Sequence, residues 1–277
     1  MSVFESFVRK HDFLVCVDSD GCVMDTMNCK HFHCFGPCLV REWELEPWRV
    51  SVLERWNQRN LFRMKRGINR FAALETALTE IDNHFTSISG VEVLRAWVES
   101  ADVLSDDALM DAIGETPEGN GRRCLEKSLS WSRAVDTSIA QLPDELKMPF
   151  AGAREGLEQA HDFADVAVLS QDTTMEEWTR YNLLAHADIL LTQDKAQSIA
   201  WMLRFGYAPD HVLMVGDSPD DWEAAQMNGI WFYPILANWE AESWQELKNV
   251  ALESLRSLDY AHYQPEKKRQ FLNNLGG

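Results

Sequence analysis

Basic residues are scarce in this sequence. Its 26 lysines and arginines face 44 aspartates and glutamates, and the formal net charge is −18. The electrostatic field of such a protein repels nucleic acids and anionic membrane surfaces, so we expect neither as a partner. A small phosphate ester is still allowed, because a local group of lysine, backbone N–H donors and a bound cation can outweigh the average charge.

Long apolar runs are absent as well. No segment approaches the roughly 18 apolar residues of a membrane-spanning helix, and the first residues, MSVFESFVRKHDF, carry charges where a signal peptide has an apolar stretch. We therefore expect a cytoplasmic protein whose cysteines are free thiols. The sequence also lacks internal repeats, and its 277 residues suffice for two modest domains, each with its own core.

Cysteines are few, but five of the six lie in residues 16 to 38, CVDSDGCVMDTMNCKHFHCFGPC. The same stretch contains two histidines and three aspartates, namely His31, His33, Asp18, Asp20 and Asp25. Either the thiols and imidazoles form a zinc site, or the carboxylates form a catalytic centre with cysteines packed around it. Zinc sites normally combine two pairs of ligands, whereas Cys124 stands alone, so the carboxylate interpretation is favoured.

Short apolar runs alternate with helical patterns from residue 150 onward. Including one early run, the segments of strand length are FLVCV (13 to 17), DVAVLS (165 to 170), DILLT (188 to 192), HVLMVGD (211 to 217) and IWFYPI (230 to 235). After DILLT, apolar residues recur at helical spacing until Gly206. The alternation predicts an α/β fold, a Rossmann-like parallel sheet with helices on both faces.

Residues from about 40 to 142 have a different pattern, with apolar residues three and four apart and charges between them. This pattern predicts an all-helical domain inserted after the first strand. Pro143 and Pro149 mark the return to the sheet. We predict a discontinuous α/β core made of residues 1–27 and 149–277, and a helical domain made of residues 28–148.

Polar side chains follow four of the predicted strands. They are Asp18, Asp20, Ser170, Lys195, Asp217 and Asp221. Because ligands bind at the carboxyl edge of open parallel sheets, these side chains are expected to form one site.

The chemistry of these groups suits phosphoryl transfer. A carboxylate can attack phosphorus and form an acyl phosphate, provided that a cation relieves the repulsion between two anions. Mg²⁺ prefers carboxylate, phosphate and water oxygens. Lys195 would neutralise phosphate charge, the Ser170 hydroxyl would donate a hydrogen bond to a phosphoryl oxygen, and a second acid would protonate the leaving oxygen.

The same residues resemble the motifs of the haloacid dehalogenase superfamily. VDSDGCVMDT is similar to the first motif, an aspartate, any residue, an aspartate and a glycine, with Asp-Thr downstream. Ser170 resembles the second motif, Lys195 the third, and GDSPDD, with Asp217 and Asp221, the fourth. The resemblance covers the whole α/β core, with all four motifs in order.

This resemblance implies a role for each acid. Asp18 would be the nucleophile and Asp20 the general acid and base. Asp18, the backbone carbonyl of Asp20, and Asp217 would bind Mg²⁺, with Asp221 supporting the metal's water ligands. The helical insertion would be a cap domain. An aspartate at position 20 is what phosphatases and phosphomutases of the superfamily have there.

A basic stretch in the insertion, FRMKRGINR, stands out in an acidic chain. It is either a solvated helix face with ion pairs or a source of substrate contacts, in which Arg66 or Arg70 binds an anionic part of the substrate. Lys30, His31 and His33, just beyond the first motif, are further candidates for residues that face the site.

The sequence as a whole predicts a Mg²⁺-dependent phosphatase that hydrolyses a small phosphorylated metabolite through an aspartyl-phosphate. One alternative is a phosphomutase or phosphotransferase, which shares the covalent step but passes the phosphoryl group to a sugar hydroxyl. Another is a binding protein that keeps the scaffold without turnover.

Overall fold

The computed structural model describes residues 7 to 170 and 175 to 276. Each of the five predicted strands is present. The first coincides with its predicted run, the second lies one residue earlier, and the other three are one residue shorter at each end. The strands are β1 Phe13–Val17, β2 Ala164–Leu169, β3 Ile189–Leu191, β4 Val212–Gly216 and β5 Trp231–Pro234.

Helices make up most of the remaining described chain. In chain order they are α1 Thr26–Lys30, α2 Gly36–Glu42, α3 Arg49–Leu61, α4 Arg70–His84, α5 Val91–Ser100, α6 Asp106–Glu115, α7 Asn120–Ala140, α8 Ala153–His161, α9 Met175–Arg180, α10 Lys195–Leu203, α11 Pro219–Met227, α12 Glu240–Glu246, α13 Leu252–Arg256 and α14 Tyr260–Asn274. Two π-helical turns join neighbouring helices, at His31–Phe35 and Leu247–Ala251. Single 3₁₀ turns lie at Glu46–Trp48, Asp144–Leu146, Leu184–His186 and Pro209–His211. None of these described helices is both long and apolar enough to cross a membrane.

The chain divides into two compact units. The α/β unit contains Met1–Asn28, Phe62–Arg66 and Asp144–Gly277, and the helical unit contains Cys29–Leu61 and Gly67–Pro143. The segment Phe62–Arg66, which our sequence boundaries place inside the helical domain, groups with the α/β unit.

The sheet of the α/β unit is parallel throughout, in the order β3-β2-β1-β4-β5. All six residues of β2, ADVAVL, are buried, as expected for a strand covered on both faces. The chain builds β2 and β3 on one side of β1 and then continues with β4 on the other side. Such a reversal leaves a crevice at the carboxyl ends of the two strands that flank it.

Both faces of the sheet carry an apolar core, which confirms the predicted fold class. Alternate residues of β1 point to opposite faces, because the side-chain period of a strand is two. Val15 and Val17 belong to a cluster that includes residues of α8, α12 and α13, while Leu14 and Cys16 belong to one that includes residues of α10, α11 and α14.

The helical unit has its own core of aliphatic, aromatic and thiol side chains. Trp131 of α7 is fully buried, and its ring centroid lies 5.9 Å from that of Phe35 and 6.0 Å from that of Trp56. Its indole N–H donates to the Phe35 carbonyl at 3.2 Å, which satisfies a polar group that burial would otherwise leave unpaired. Four buried cysteines pack in the same core, Cys29, Cys34, Cys38 and Cys124. Buried free cysteines behave as small apolar side chains.

Candidate active site

The first geometric feature of the site is the turn that follows β1. The backbone N–H of Asp18 donates to the Val215 carbonyl at 3.0 Å, so Asp18 leaves the sheet between β1 and β4. The Ser19 carbonyl then accepts backbone N–H groups of Val23 at 3.0 Å and Met24 at 2.9 Å, which closes a compact turn. Asp18 is thereby held at the crevice where the strand order reverses.

Two buried indoles support this turn, and the sequence carried no signal for either. The Trp178 N–H donates to the Ser19 hydroxyl at 2.9 Å, and the Trp244 N–H donates to the Cys22 carbonyl at 2.9 Å. Trp178 and Trp244 are 0% and 1% exposed. Buried indoles need an acceptor, and here the acceptors belong to the loop that carries Asp18.

Lys195, the first residue of α10, lies between two acids. Its ammonium nitrogen is 3.0 Å from Asp18 Oδ2 and 2.5 Å from Asp221 Oδ1. The other oxygen of Asp18, Oδ1, accepts the backbone N–H of Ser19 at 2.7 Å. The structure thus brings together three of the predicted site residues from the ends of β1, β3 and β4.

Asp221 is the most heavily bonded of the acids. Its Oδ2 accepts the backbone N–H groups of Asp217 and Ser218, both at 3.0 Å, and the Ser218 hydroxyl at 2.8 Å. Ser218 and Asp221 form a capping box at the start of α11. A Cβ at position 216 would lie 2.3 Å from the Asp221 carboxyl carbon, which explains the glycine at the end of β4.

Asp217 faces a guanidinium. Its Oδ2 accepts from Arg66 Nε at 2.5 Å, and both side chains are completely buried. Gly21, at φ +81°, packs against this pair, because a Cβ there would lie 2.6 Å from Asp217 Oδ2 and 2.7 Å from Arg66 Nη2. The glycine of the first motif is therefore required for two reasons, a left-handed backbone conformation and close contact with the side chains of Asp217 and Arg66.

Asp20 is half-buried at the same edge, and the buried Thr26 hydroxyl donates to its Oδ1. This contact gives the threonine of the downstream Asp-Thr a structural role, because Thr26 orients Asp20. Ser170 follows β2, is 4% exposed, and donates its backbone N–H to the Leu191 carbonyl at 3.0 Å. Its predicted contact with phosphate stays a prediction.

Burial and neighbouring charges act against each other on the pKa values of the cluster. It raises the pKa of Asp18 well above the usual range, which Lys195 opposes, and it raises the pKa of Asp217, which Arg66 opposes. Burial lowers the pKa of Lys195, but the charges of Asp18 and Asp221 outweigh it and leave that pKa well above the ordinary value. The lysine stays charged while the acids lack part of the positive charge that would stabilise them.

The carboxylates fit a divalent cation. Asp18, Asp217 and Asp221 each place one oxygen within 4.8 Å of the others. Asp217 Oδ1 is buried and has no hydrogen-bond partner among residues 7 to 170 and 175 to 276. An all-oxygen donor set of this charge suits Mg²⁺.

The remaining predicted residues belong to the helical unit. Arg70 pairs with Asp136 at 2.6 Å and contacts the Ser132 hydroxyl at 3.1 Å. His31 Nδ1 accepts the Trp56 indole N–H at 3.0 Å, and His33 is exposed. Lys30 is 9% exposed. Roles for Arg70, Lys30, His31 and His33 at the active site stay predictions.

No protein-family model matches the sequence, and no curated protein matches it either. Solved structures do show similarity. A candidate phosphoglycolate phosphatase from Lactobacillus delbrueckii subsp. bulgaricus is 13% identical with a TM-score of 0.49, over 91% of this chain and 98% of the other. A haloacid dehalogenase-like family hydrolase from Xanthomonas campestris is 15% identical with a TM-score of 0.45, over 95% and 98%.

A third structure, a candidate β-phosphoglucomutase from Thermotoga maritima, is 18% identical with a TM-score of 0.43, over 87% of this chain and 99% of the other. At such identities and scores, these likenesses carry no information on substrate. The chain's own architecture is a parallel sheet in the order β3-β2-β1-β4-β5 with helices inserted between β1 and β2.

Proposed function

We propose that the protein is a Mg²⁺-dependent phosphatase that hydrolyses a small phosphorylated metabolite. The observation that carries the proposal is the arrangement of Asp18. It lies at the carboxyl edge of the sheet, next to the Lys195 ammonium and within 4.8 Å, oxygen to oxygen, of Asp217 and Asp221. The net charge of −18 makes a nucleic acid a poor substrate and leaves small phosphate esters as the expected class.

In the first step, the Asp18 carboxylate attacks phosphorus. A bond forms between phosphorus and the Asp18 oxygen while the ester P–O bond breaks, and the leaving oxygen takes the proton of Asp20. Thr26 donates to Asp20 Oδ1 and so orients this acid. Proton donation of this kind typically contributes about 10²- to 10⁴-fold.

In the second step, water attacks the phosphorus of the aspartyl-phosphate. Asp20, now a carboxylate, takes a proton from the water, and the bond between phosphorus and the Asp18 oxygen breaks. Inorganic phosphate leaves, and both acids return to their starting states. The covalent intermediate divides one difficult displacement, the direct attack of water on the ester, into two easier ones.

Positive charge is needed in both steps because the nucleophile and the phosphate are both anions. Lys195 supplies one charge at 3.0 Å from Asp18 Oδ2. Asp18 and Asp217 would hold Mg²⁺, which supplies Lewis-acid stabilisation of charge on the phosphoryl oxygens when bound. Ser170 would donate a hydrogen bond to one of those oxygens.

The test is hydrolysis of p-nitrophenyl phosphate with MgCl₂, followed by a panel of phosphorylated metabolites assayed for free phosphate. Asp18→Asn should lower kcat at least about 10³-fold, because the amide is not a nucleophile. Asp162→Asn, at an exposed acid of the same unit, is the matched control and should retain full activity.

Retained activity in a folded Asp18→Asn protein would remove Asp18 as the nucleophile. Conversion of a sugar phosphate to its isomer without free phosphate would identify a phosphomutase. An absence of phosphate release and isomerisation across the panel would favour a binding protein on this scaffold.

A further inference from the structure

Arg66 is a buried cation whose basic neighbours in the sequence are exposed. Arg63 and Lys65, which lie beside it in sequence, are exposed, whereas the Arg66 side chain is completely buried. A turn brings the chain back at this point, because the Arg66 N–H donates to the Arg63 carbonyl at 2.9 Å. The segment Phe62–Arg66 lies in sequence between helices of the helical unit but belongs to the α/β unit.

The guanidinium is directed at the carboxylate cluster. Its Nε donates to Asp217 Oδ2 at 2.5 Å and its Nη2 donates to the Gly21 carbonyl at 3.4 Å. Burying a charge is costly unless a partner of opposite charge is close, so each member of the Arg66 and Asp217 pair depends on the other.

The charges of the cluster are unevenly divided. Asp18, Asp217 and Asp221 contribute three negative charges, against two positive charges from Lys195 and Arg66. Lys195 serves Asp18 and Asp221, so the cation in contact with Asp217 is Arg66. Of the two carboxylate oxygens of Asp217, Oδ2 accepts from Arg66, and Oδ1 has no hydrogen-bond partner among the residues that the structure describes.

We infer that Arg66 lowers the affinity of this cluster for a divalent cation. It does so by neutralising the Asp217 carboxylate through Oδ2, which leaves Asp217 only Oδ1 for the metal. The inference rests on the proposed function in one respect, since it takes Asp217 as a metal ligand. It assigns Arg66 to the metal site rather than to the anionic part of the substrate. The free protein would bind Mg²⁺ weakly, and the negative charge of a phosphate ester would complete the site.

The test is a calorimetric titration of the full-length protein with MgCl₂ in the absence of phosphate. Arg66→Gln removes the charge and keeps an N–H donor, and it should raise the Mg²⁺ association constant at least about tenfold, because like charges repel strongly at such distances in a buried site. Thermal unfolding gives a second measurement, in which added MgCl₂ should raise the Tm of Arg66→Gln more than that of the wild type.

Two further variants separate the charge from other effects. Lys65→Met removes a charge from the same segment at an exposed position, so it should change the association constant less than about twofold, given solvent screening. Arg66→Lys keeps the charge and should bind Mg²⁺ within about threefold of the wild type, whereas a purely positional role for the guanidinium would weaken binding. Weakened binding in this variant would contradict the inference even if Arg66→Gln does not fold.

An unchanged or lower association constant in folded Arg66→Gln would overturn the inference, as would clearly weakened binding in Arg66→Lys. If wild type hydrolyses phosphate esters with Mg²⁺ and Arg66→Gln binds the ion no more tightly, the inference alone fails. If neither protein binds Mg²⁺ and hydrolysis needs no divalent cation, the metal part of the proposed function fails with it.

Discussion

The two units of this protein place their charges differently. In the α/β unit, Arg66, Asp217 and Asp221 have side chains with no exposed surface, and Asp18 and Lys195 complete one cluster with them. In the helical unit, ion pairs such as Arg122 with Glu126 lie at the surface. Buried ion pairs contribute little net stability compared with apolar packing, so their concentration at one sheet edge is typical of a functional site.

The interior of the helical unit is built from apolar and aromatic packing rather than from buried charges. Trp131, a fully buried side chain of this unit, packs with other aromatic rings, and its one polar atom donates to a backbone carbonyl. Such an interior is stabilised by apolar burial and packing. The helical core is thus organised around packed rings, whereas the α/β unit concentrates buried charges at one sheet edge.

The largest effect on stability is expected in the helical core. Trp131→Ala should lower the free energy of unfolding by about 3 to 5 kcal/mol, because it removes a completely buried ring and leaves a cavity. Urea denaturation would measure it, with Val103→Ala, at a position 64% exposed, as the control that changes little. A loss below about 1 kcal/mol for Trp131→Ala would contradict a core organised around this ring.

The next largest effect on stability is expected at the buried charges of the α/β unit. Asp221→Asn should lower the free energy of unfolding by about 2 to 3 kcal/mol, because an amide cannot accept all three hydrogen bonds at Oδ2 or pair with Lys195. Glu223→Gln, an exposed acid on the same helix, is the matched control. If both variants unfold at the same denaturant concentration, Asp221 does not stabilise the site in the way its contacts suggest.

Asp188, directly before β3, should make a contribution to stability that depends on pH. Burial raises the pKa of Asp188, but bonds from Lys10 at 2.6 Å, the Val166 N–H at 2.9 Å and His161 at 3.2 Å lower it below its usual value overall. A lowered folded-state pKa means stability that is present above the unfolded-state pKa and lost as the pH falls through the folded-state pKa.

Asp188→Asn should therefore cost about 1.5 to 3 kcal/mol near neutral pH, the range for hydrogen bonds to charged groups, and progressively less in acid. The measurement is denaturant unfolding of both proteins across that pH range. A difference between wild type and variant that stays constant into acid would show that the carboxylate charge is not responsible.

The smallest effect is expected at the surface of the helical unit. Arg122→Ala breaks a pair with Glu126, 3.0 Å apart, in which both side chains are partly exposed. Such pairs along a helix are worth about 0.3 to 0.5 kcal/mol, and salt screens them. Thermal unfolding at low and high salt would check it, and a loss above about 1 kcal/mol would weaken the contrast between the two units.

Much of the α/β unit could be predicted from the sequence. The five strands were recognisable because buried parallel strands form continuous apolar runs of limited length. Asp18, Lys195, Asp217 and Asp221 were predicted to meet because parallel strands end at the same edge of a sheet, and the structure places all four within one cluster.

Other features had no local signal. Trp178 and Trp244 support the turn after β1 from positions far away in the chain, and nothing in their sequence neighbourhood distinguishes them from ordinary core residues. The cysteines that dominate residues 16 to 38 were the most conspicuous feature of the sequence, yet they lie buried in apolar cores.

By itself the sequence determined the fold class and the acids at the strand ends, because strand periodicity and the residues after a strand are local properties. Tertiary structure alone decided which cation faces which acid. Arg66 and Asp217 are 151 positions apart, and no spacing rule connects them. The path of Phe62–Arg66, which groups with the α/β unit, buries one side chain of a surface-like basic stretch, Arg66, against the carboxylate cluster.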